Sequence, residues 1–349
     1  MRVVIDHFDR VRTCLKGGRP DRVPISFWGH MYYKYGQVTF REASREPEKL
    51  AHAHLAFCRK FDIDFLKMMP DGMYMAERWG TKLNWDQETA NALPQEFGVK
   101  KADDWERLSV LNPSTDPVLL DQLKAVELLA DGLDGSMPFI QTLFTPITWA
   151  IKTAGQDRVI DDMRKEGGSL KHGLEMMTES VVAFGQQCLD RGVTGFFLAM
   201  QNGSTDLMTP SEFDEFSLEY DLRILRALSK AEFLLLHVCT RRKGDRFDVD
   251  RIAKYPVHAI SWWDRGSPLT LSKVRELLGT KFCLVGGLDH KETLLNGFPQ
   301  QIEEEAREAI ESVGKNGGFM LGPGCTVSHK TPDRNLNAAI FAASKYSQL

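Results

Sequence analysis

The sequence lacks a long apolar run, an excess of one charge and a pattern of paired cysteines. No apolar run approaches the roughly 20 residues that a helix needs to cross a bilayer. The net charge of −4 at pH 7 provides no broad basic surface for nucleic acid or an anionic membrane. The six cysteines are scattered, and the first residues are charged rather than typical of a secretory signal. We therefore expect a cytoplasmic protein with reduced thiols and with neither nucleic-acid nor membrane partners.

Several catalytic motifs are also absent. The sequence contains no phosphate-binding Gly-x-x-x-x-Gly-Lys-Ser/Thr loop, no Gly-x-Ser-x-Gly nucleophile turn and no His-Glu-x-x-His zinc motif. No Gly-x-Gly-x-x-Gly follows the first predicted strand, which disfavours dinucleotide binding. No linker, low-complexity tract or fixed-period repeat divides the chain.

Short, continuous apolar runs alternate along the chain with amphipathic segments. Such runs are typical of parallel strands that are buried on both faces. We predict eight strands, over residues 23–29, 64–69, 138–143, 195–200, 233–238, 257–262, 282–285 and 319–321. Eight strand–helix units over this length predict an α/β protein, a (β/α)8 TIM-type barrel formed by a single domain over residues 1–349. The polar segment around 75–113 is expected to be an irregular excursion from this pattern.

The predicted fifth strand ends in an imidazole and a thiol. His237 and Cys239 are spaced i, i+2, so in an extended strand both side chains point to the same side. Cys325 follows the last predicted strand in the same way. One histidine and two cysteines form a ligand set that zinc prefers, with a fourth position left for substrate. Two alternatives remain open, namely a buried strand with an ordinary histidine and a core cysteine, and a cysteine nucleophile paired with His237.

Other strands also end on polar residues. The carboxyl ends of barrel strands converge on one mouth, where barrel enzymes carry out their chemistry. We predict Asp71 and Asp264 as catalytic groups, Asp264 as a displaceable oxygen ligand of the metal, and His30, Asn202 and Asp289 as substrate-binding residues. Each has a plainer interpretation. Asp71 and Asn202 are typical turn residues, the other two aspartates are suited to cap a turn or a helix, and His30 is followed by aromatic residues that could simply pack around it.

Four segments together resemble the uroporphyrinogen decarboxylase superfamily. They are His237-Val-Cys239, Gly286-Gly-Leu-Asp289, Gly317-Gly-Phe-Met-Leu-Gly-Pro-Gly-Cys325 and Thr331-Pro-Asp-Arg-Asn335. The likeness is firm over roughly the last third of the chain and traceable upstream of it, over residues 22–25, 64–80 and 146–155. The resemblance implies a (β/α)8 barrel, in agreement with the strand count.

The chain departs from the decarboxylase branch of that superfamily. The arginine-rich stretch that follows the first strand in that branch corresponds here to Trp28-Gly-His-Met-Tyr-Tyr-Lys34, which has no arginine. Lys152 stands in place of the decarboxylase tyrosine, and Cys325 in place of its histidine. Asp71 does match the decarboxylase aspartate. A decarboxylase that uses Asp71 is therefore the alternative function.

The other branch consists of zinc-dependent, corrinoid-linked methyltransferases with a His-x-Cys…Cys motif. His237, Cys239 and Cys325 match that motif residue by residue. The resemblance implies Zn²⁺ and transfer of a methyl group between a small substrate, such as a thiol or a methoxy compound, and a cobalt corrinoid (a cobamide) bound to a partner protein. Zinc would lower the pKa of a bound thiol or polarise a methoxy oxygen. A non-catalytic corrinoid-binding or partner-binding barrel is a third hypothesis.

Overall fold

The computed structural model describes residues 5–86, 91–240 and 242–348. Seven strands form one parallel sheet in the order β1-β4-β5-β6-β7-β8-β9, and β2 and β3 form a separate pair. The strands are β1 Leu66–Lys67, β2 Lys82–Asp86, β3 Asn91–Glu96, β4 Phe139–Phe144, β5 Gly195–Met200, β6 Phe233–Val238, β7 Ala259–Ser261, β8 Cys283–Leu288 and β9 Phe319–Pro323.

Helices form most of the connections between the strands. The α-helices are α1 His7–Leu15, α2 Tyr32–Gly36, α3 Phe40–Arg45, α4 Pro47–Lys60, α5 Pro117–Leu133, α6 Pro146–Ala154, α7 Gln156–Lys165, α8 Gly167–Asp190, α9 Pro210–Phe213, α10 Glu219–Ala227, α11 Val249–Ile252, α12 Leu271–Leu278, α13 Thr293–Asn296, α14 Pro299–Val313 and α15 Asp333–Lys345. Short 3-10 helices cover Ala102–Arg107, Gly314–Asn316 and Tyr346–Gln348, and a π-helical turn covers Asp214–Leu218. Within the described part of the chain, no helix has both the length and the apolar character that a membrane span requires.

The central strands are buried on both faces, which explains their uninterrupted apolar sequences. Every residue of β4, β5 and β6 is buried. β5 and β6 pair in parallel from Gly195 opposite Phe233 onward. Gly195 is required there because a Cβ atom would lie 1.9 Å from the Phe233 carbonyl oxygen. The strands predicted over 195–200 and 233–238 are confirmed with the same bounds.

The prediction of a first strand over residues 23–29 was wrong. The segment makes only isolated bridges, such as that between Ile25 and Leu321. Pro24 has no N–H group to contribute to a ladder, although its carbonyl oxygen accepts a hydrogen bond from the Leu321 N–H at 2.8 Å. The predicted barrel is therefore confirmed as a parallel α/β sheet that contains seven of the eight expected strands.

The same segment joins the two edges of the sheet. On one side it pairs with Leu321 of β9, and on the other its Ile25 carbonyl oxygen accepts a hydrogen bond from the Asp64 N–H at 2.7 Å, just before β1. Both edge strands are therefore neighbours of one short segment, and the sheet is curled. Because the strands are parallel, their carboxyl ends lie on one side, which is called the mouth below.

The excursion expected around 75–113 contains regular structure. β2 and β3 pair antiparallel, and the residues between them, 87–90, lie outside the described part of the chain. The alternation of polar and apolar residues over 82–86 is a signal for a strand. Farther along, the buried Trp105 anchors a 3-10 helix by donating from Nε1 to Asp162 Oδ2 at 2.8 Å. The prediction of irregular structure was therefore wrong for this part of the segment.

A buried carboxylate ties the N-terminal segment to the sheet. Asp64 is fully buried and accepts hydrogen bonds from Arg10 Nη1 at 2.8 Å, Arg22 Nη1 at 2.5 Å and the Ile25 N–H at 2.8 Å. His7 Nδ1 lies 3.0 Å from the same carboxylate. Burial raises the Asp64 pKa, but His7, Arg22 and the Ile25 N–H favour the charged form more strongly, so the pKa lies below its usual value of 3.8.

We expect Asp64→Asn to lower the free energy of unfolding by about 3–5 kcal/mol, because it removes the buried carboxylate that Arg10 and Arg22 share. Asp62→Asn is the matched control, since Asp62 is exposed and its Oδ2 lies 3.4 Å from Arg22 Nη2, a longer distance than in the Asp64 pairs. For this variant we expect a loss of about 0–1 kcal/mol in the free energy of unfolding. The pKa of Asp64 is lower in the folded state than in the unfolded state. Its contribution to the free energy of unfolding is therefore complete above the unfolded-state pKa and is lost as pH falls towards the folded-state pKa. Urea denaturation at several pH values measures both effects. Equal losses in the two variants would contradict the prediction.

Candidate metal and substrate site

The structure brings the three predicted metal ligands together at the mouth. His237 belongs to β6, Cys239 follows that strand directly, and Cys325 follows β9. One ligand atom of each residue lies within 4.8 Å of the other two. Two thiol sulfurs and an imidazole nitrogen at this spacing have the composition of a zinc site with an open fourth position.

The His237 ring is held in one orientation by its neighbours. Its Nδ1 lies 2.9 Å from Ser261 Oγ, on the strand that pairs with β6. Its ring stacks on Phe197, with the centroids 5.0 Å apart. Nε2 is buried and has no hydrogen-bond partner among the described residues. Buried polar atoms are rarely left without a partner, so this nitrogen fits the place of a metal ligand.

Cys325 is prepared to act as a thiolate. A hydrogen bond from Cys239 lowers the pKa of Cys325 well below its usual range, and His237 adds to this effect, although burial opposes it. The thiolate, rather than the thiol, is the form that binds metals and reacts as a nucleophile. The donor set therefore fits zinc by its residue types, by its spacing and by its protonation.

A cavity of about 470 Å³ adjoins these ligands at the mouth. Its wall is largely apolar and aromatic, with Trp28, Met69, Phe144 and Phe197 among the contributors, and residues of β3 lie at its edge. A few polar groups in an apolar wall are typical of small-molecule sites. The volume is ample for a small substrate beside the metal ligands.

His30 lines this cavity, as expected for a substrate-binding residue. It also packs against aromatic rings, with centroid distances of 5.9 Å to Tyr33 and 5.3 Å to Phe40. Burial lowers its pKa to about 4, with help from Lys67, so the ring is neutral near pH 7. Its Nδ1 has no hydrogen-bond partner in the described part of the chain. Both interpretations of His30, contact with substrate and packing among aromatics, agree with the structure.

Asp71 and Asn202 lie near the cavity but do not line it. Asp71 Oδ1 accepts a hydrogen bond from the Met73 N–H at 2.8 Å, and burial raises its pKa to about 6. Asn202 Oδ1 accepts hydrogen bonds from the Thr145 and Thr148 hydroxyls at 3.2 and 3.1 Å, while its Nδ2 donates to Ser217. Asn202 therefore connects the end of β5 to α6 and to the π-helical turn, and Gln201 lines the cavity in its place.

Asp264 and Asp289 face away from the cavity. Asp264 Oδ1 accepts a hydrogen bond from the Gly287 N–H at 3.0 Å, and the residue borders a second cavity with Arg265. Asp289 Oδ1 accepts from the N–H groups of Lys291 and Glu292, the pattern of a turn cap. The capping interpretation fits both residues, and the role of Asp264 as a displaceable metal ligand stays a prediction.

Two residues that the sequence did not single out belong to this site. Lys67 of β1 lines the cavity, and burial lowers its pKa to about 7, although Cys325 opposes the shift. The sequence signal was a lysine inside an apolar run at 64–69. Ser261 orients His237, and it could be recognised only once the pairing of β6 with β7 was known.

Comparisons with known proteins agree with the fold and with the family resemblance drawn from the sequence. A methylated-thiol–coenzyme M methyltransferase of Methanosarcina mazei is 27% identical over 77% of this chain and 69% of the relative. The methylcobamide:CoM methyltransferase MtaA of Methanosarcina barkeri is 23% identical over 97% of both chains. A uroporphyrinogen decarboxylase of Syntrophotalea carbinolica is also 23% identical, over 98% of this chain and 99% of the relative.

A solved structure described as a methyltransferase from Methanosarcina mazei has the same fold. It covers 98% of this chain and 99% of its own chain, with a TM-score of 0.86 and 21% identity. The family model for uroporphyrinogen decarboxylase (URO-D) matches residues 6–346. Because this match spans nearly the whole chain, the protein belongs to the uroporphyrinogen decarboxylase family.

Proposed function

We propose that this protein is a methyltransferase that moves a methyl group between a small substrate and a cobalt corrinoid, with Zn²⁺ held by His237, Cys239 and Cys325. The observation that carries the proposal is the cluster of three ligand atoms within 4.8 Å at the end of a cavity. The names of two relatives support it, since they describe methyl transfer to coenzyme M, in one case from a methylcobamide.

The protein contributes orientation, charge and exclusion of water. Ser261 engages Nδ1 of the His237 ring, which leaves Nε2 as the nitrogen available to a metal. The lowered pKa of Cys325 keeps its sulfur ready to bind a cation. When bound, zinc would supply the Lewis acidity that lowers the pKa of a thiol or polarises a methoxy oxygen. With three protein ligands, the fourth position is left for the substrate.

The apolar cavity wall suits this chemistry. Met69, Phe144 and Phe197 present few polar groups, so a reacting sulfur or oxygen is kept from water. The mouth is the side from which a corrinoid would approach. We propose that the corrinoid is carried by a separate partner protein, as in the hypothesis drawn from the sequence.

Decarboxylation with Asp71 is the less favoured function. The Asp71 carboxyl does not line the cavity, whereas its neighbours Pro70 and Gly72 do. No arginine is among the described residues of the cavity wall, whose cations are Lys67 and Lys152 beside the titratable histidines. A substrate with many carboxylates would meet too few positive charges for tight binding.

We expect Cys239→Ser and Cys325→Ser to lose most of their bound zinc and most of their activity, because each removes one of three metal ligands. Zinc is measured by elemental analysis of the purified protein. Activity is followed as demethylation of methylcobalamin in the presence of a panel of thiols, with cob(I)alamin and candidate methyl donors as the reverse assay. Cys58→Ser is the control, since Cys58 lies in α4, away from the cavity. Wild-type protein without zinc, together with unchanged activity in both site variants, would refute the proposal.

We expect Ser261→Ala to weaken zinc binding about 10–100-fold, the usual cost of removing a group that orients a histidine ligand. Competition with a chromophoric chelator measures the affinity. Ser267→Ala is the matched control, because its hydroxyl bonds the Asp245 carbonyl oxygen instead of a candidate ligand. The same zinc affinity in wild type and Ser261→Ala would show that Ser261 has no orienting role.

A further inference from the structure

Lys67 is a buried lysine in the cavity wall. Only 4% of its surface is exposed. Its Nζ donates to Met69 Sδ at 2.7 Å and lies 4.2 Å from the centre of the Phe197 ring. Among the described residues, no carboxylate forms an ion pair with it. Lysines are rarely buried this fully without a paired anion, and a thioether is only a weak hydrogen-bond acceptor.

The titratable groups that face Lys67 do not supply a permanent anion. His30 and His54 are its histidine neighbours, and burial lowers the pKa of each to about 4, so both are neutral near pH 7. His54 is also occupied, since Nε2 accepts from the Met69 N–H and Nδ1 meets the Leu50 carbonyl oxygen. Cys325 acts on Lys67 electrostatically, and both side chains line the same cavity. The Phe197 ring that Lys67 Nζ contacts also stacks on His237. The lysine therefore shares the cavity wall with the candidate metal ligands.

The charges at this site would be unbalanced by one when a thiolate binds, and Lys67 could balance them. A divalent zinc ion, two thiolates and a neutral imidazole sum to zero. A substrate that enters the fourth position as a thiolate adds one negative charge to a buried site. Burial of an unpaired charge is costly unless an opposite charge lies nearby. Lys67 lines the same cavity as Cys325, and its ammonium form supplies that opposite charge.

We infer that Lys67 is the counter-charge that selects a deprotonated thiol as the small substrate. It acts on the reacting sulfur of that substrate rather than on an acidic group elsewhere in the substrate. The inference rests on the proposed function and names its substrate class. The thiol S–H proton is released to solvent, and the resulting thiolate carries the charge that Lys67 balances. A neutral ligand at the same position gains nothing from Lys67.

The test compares thiol binding to zinc-loaded, full-length protein in four forms. They are the wild type, Lys67→Met, Lys67→Arg and Lys281→Met. Lys281 is an exposed lysine before the amino end of β8, on the side opposite the mouth, and serves as the charge control. The ligands are 2-mercaptoethanol, 3-mercaptopropionate and imidazole. Calorimetry in buffers of different ionisation enthalpy gives the dissociation constant and the number of protons released.

We expect Lys67→Met to bind both thiols about 10–100-fold more weakly, by a similar factor, which is the range for a lost interaction with a charged group. Imidazole binding and zinc content should stay unchanged. Lys67→Arg should restore part of the thiol affinity because it restores the charge, and this variant also serves if Lys67→Met folds poorly. Lys281→Met should match the wild type.

Other outcomes overturn the inference. A loss confined to 3-mercaptopropionate would show that Lys67 binds the acidic tail of a substrate instead of the reacting sulfur. Equal thiol affinity in wild type and Lys67→Met would remove its role altogether, while the proposed methyltransferase function would stand. A wild-type protein that holds zinc but binds neither thiol would overturn the thiol as substrate and this inference with it.

Discussion

The curling of the sheet around the segment 24–26 is the constraint on which the site depends. Leu321 at one edge and Asp64 beside the other edge both hydrogen-bond to this segment. Only in a curled sheet does the residue after β9 come near the end of β6, because three strand pairings separate them along the sheet. Cys325 meets His237 for this reason, although they lie in distant parts of the chain.

The Asp64 cluster stabilises this closure from the side opposite the mouth. Its carboxylate holds Arg22 and the Ile25 N–H, so the closing segment is fastened next to β1. Lys67 lies on β1, three residues farther along, and points into the cavity. The same short stretch of chain therefore joins a buried ion cluster that stabilises the fold to a buried lysine that faces the site.

Desolvation governs the chemistry at the mouth. A buried thiolate at Cys325 and a buried ammonium at Lys67 each carry an energetic cost that neighbouring opposite charges offset. Hydrogen bonding from Cys239 and the nearby His237 side chain favour the Cys325 thiolate. Such arrangements of titratable groups are concentrated in functional sites, and here they coincide with the three candidate ligands of a metal.

Local patterns in the sequence were sufficient to predict most of the strands and to single out the three candidate metal ligands. The apolar runs at 195–200 and 233–238 indicate strands that are buried on both faces. The i, i+2 spacing places the His237 and Cys239 side chains on the same side of their strand, whatever its position in the sheet. The interruption of the first strand at Pro24 also had a local signal, which the continuous apolar run around it outweighed. The pairing of β2 with β3 had one in the alternation over 82–86, which the polar character of the surrounding segment outweighed.

The tertiary structure alone decided which polar residues reach the cavity. Asp264 and Asp289 follow strands as expected, but their carboxylates accept hydrogen bonds from backbone N–H groups and do not line the cavity. Lys67 and Ser261 enter it through contacts with Phe197 and His237, far from them in the chain. Such long-range contacts depend on how the sheet curls, and no periodicity in the sequence encodes them.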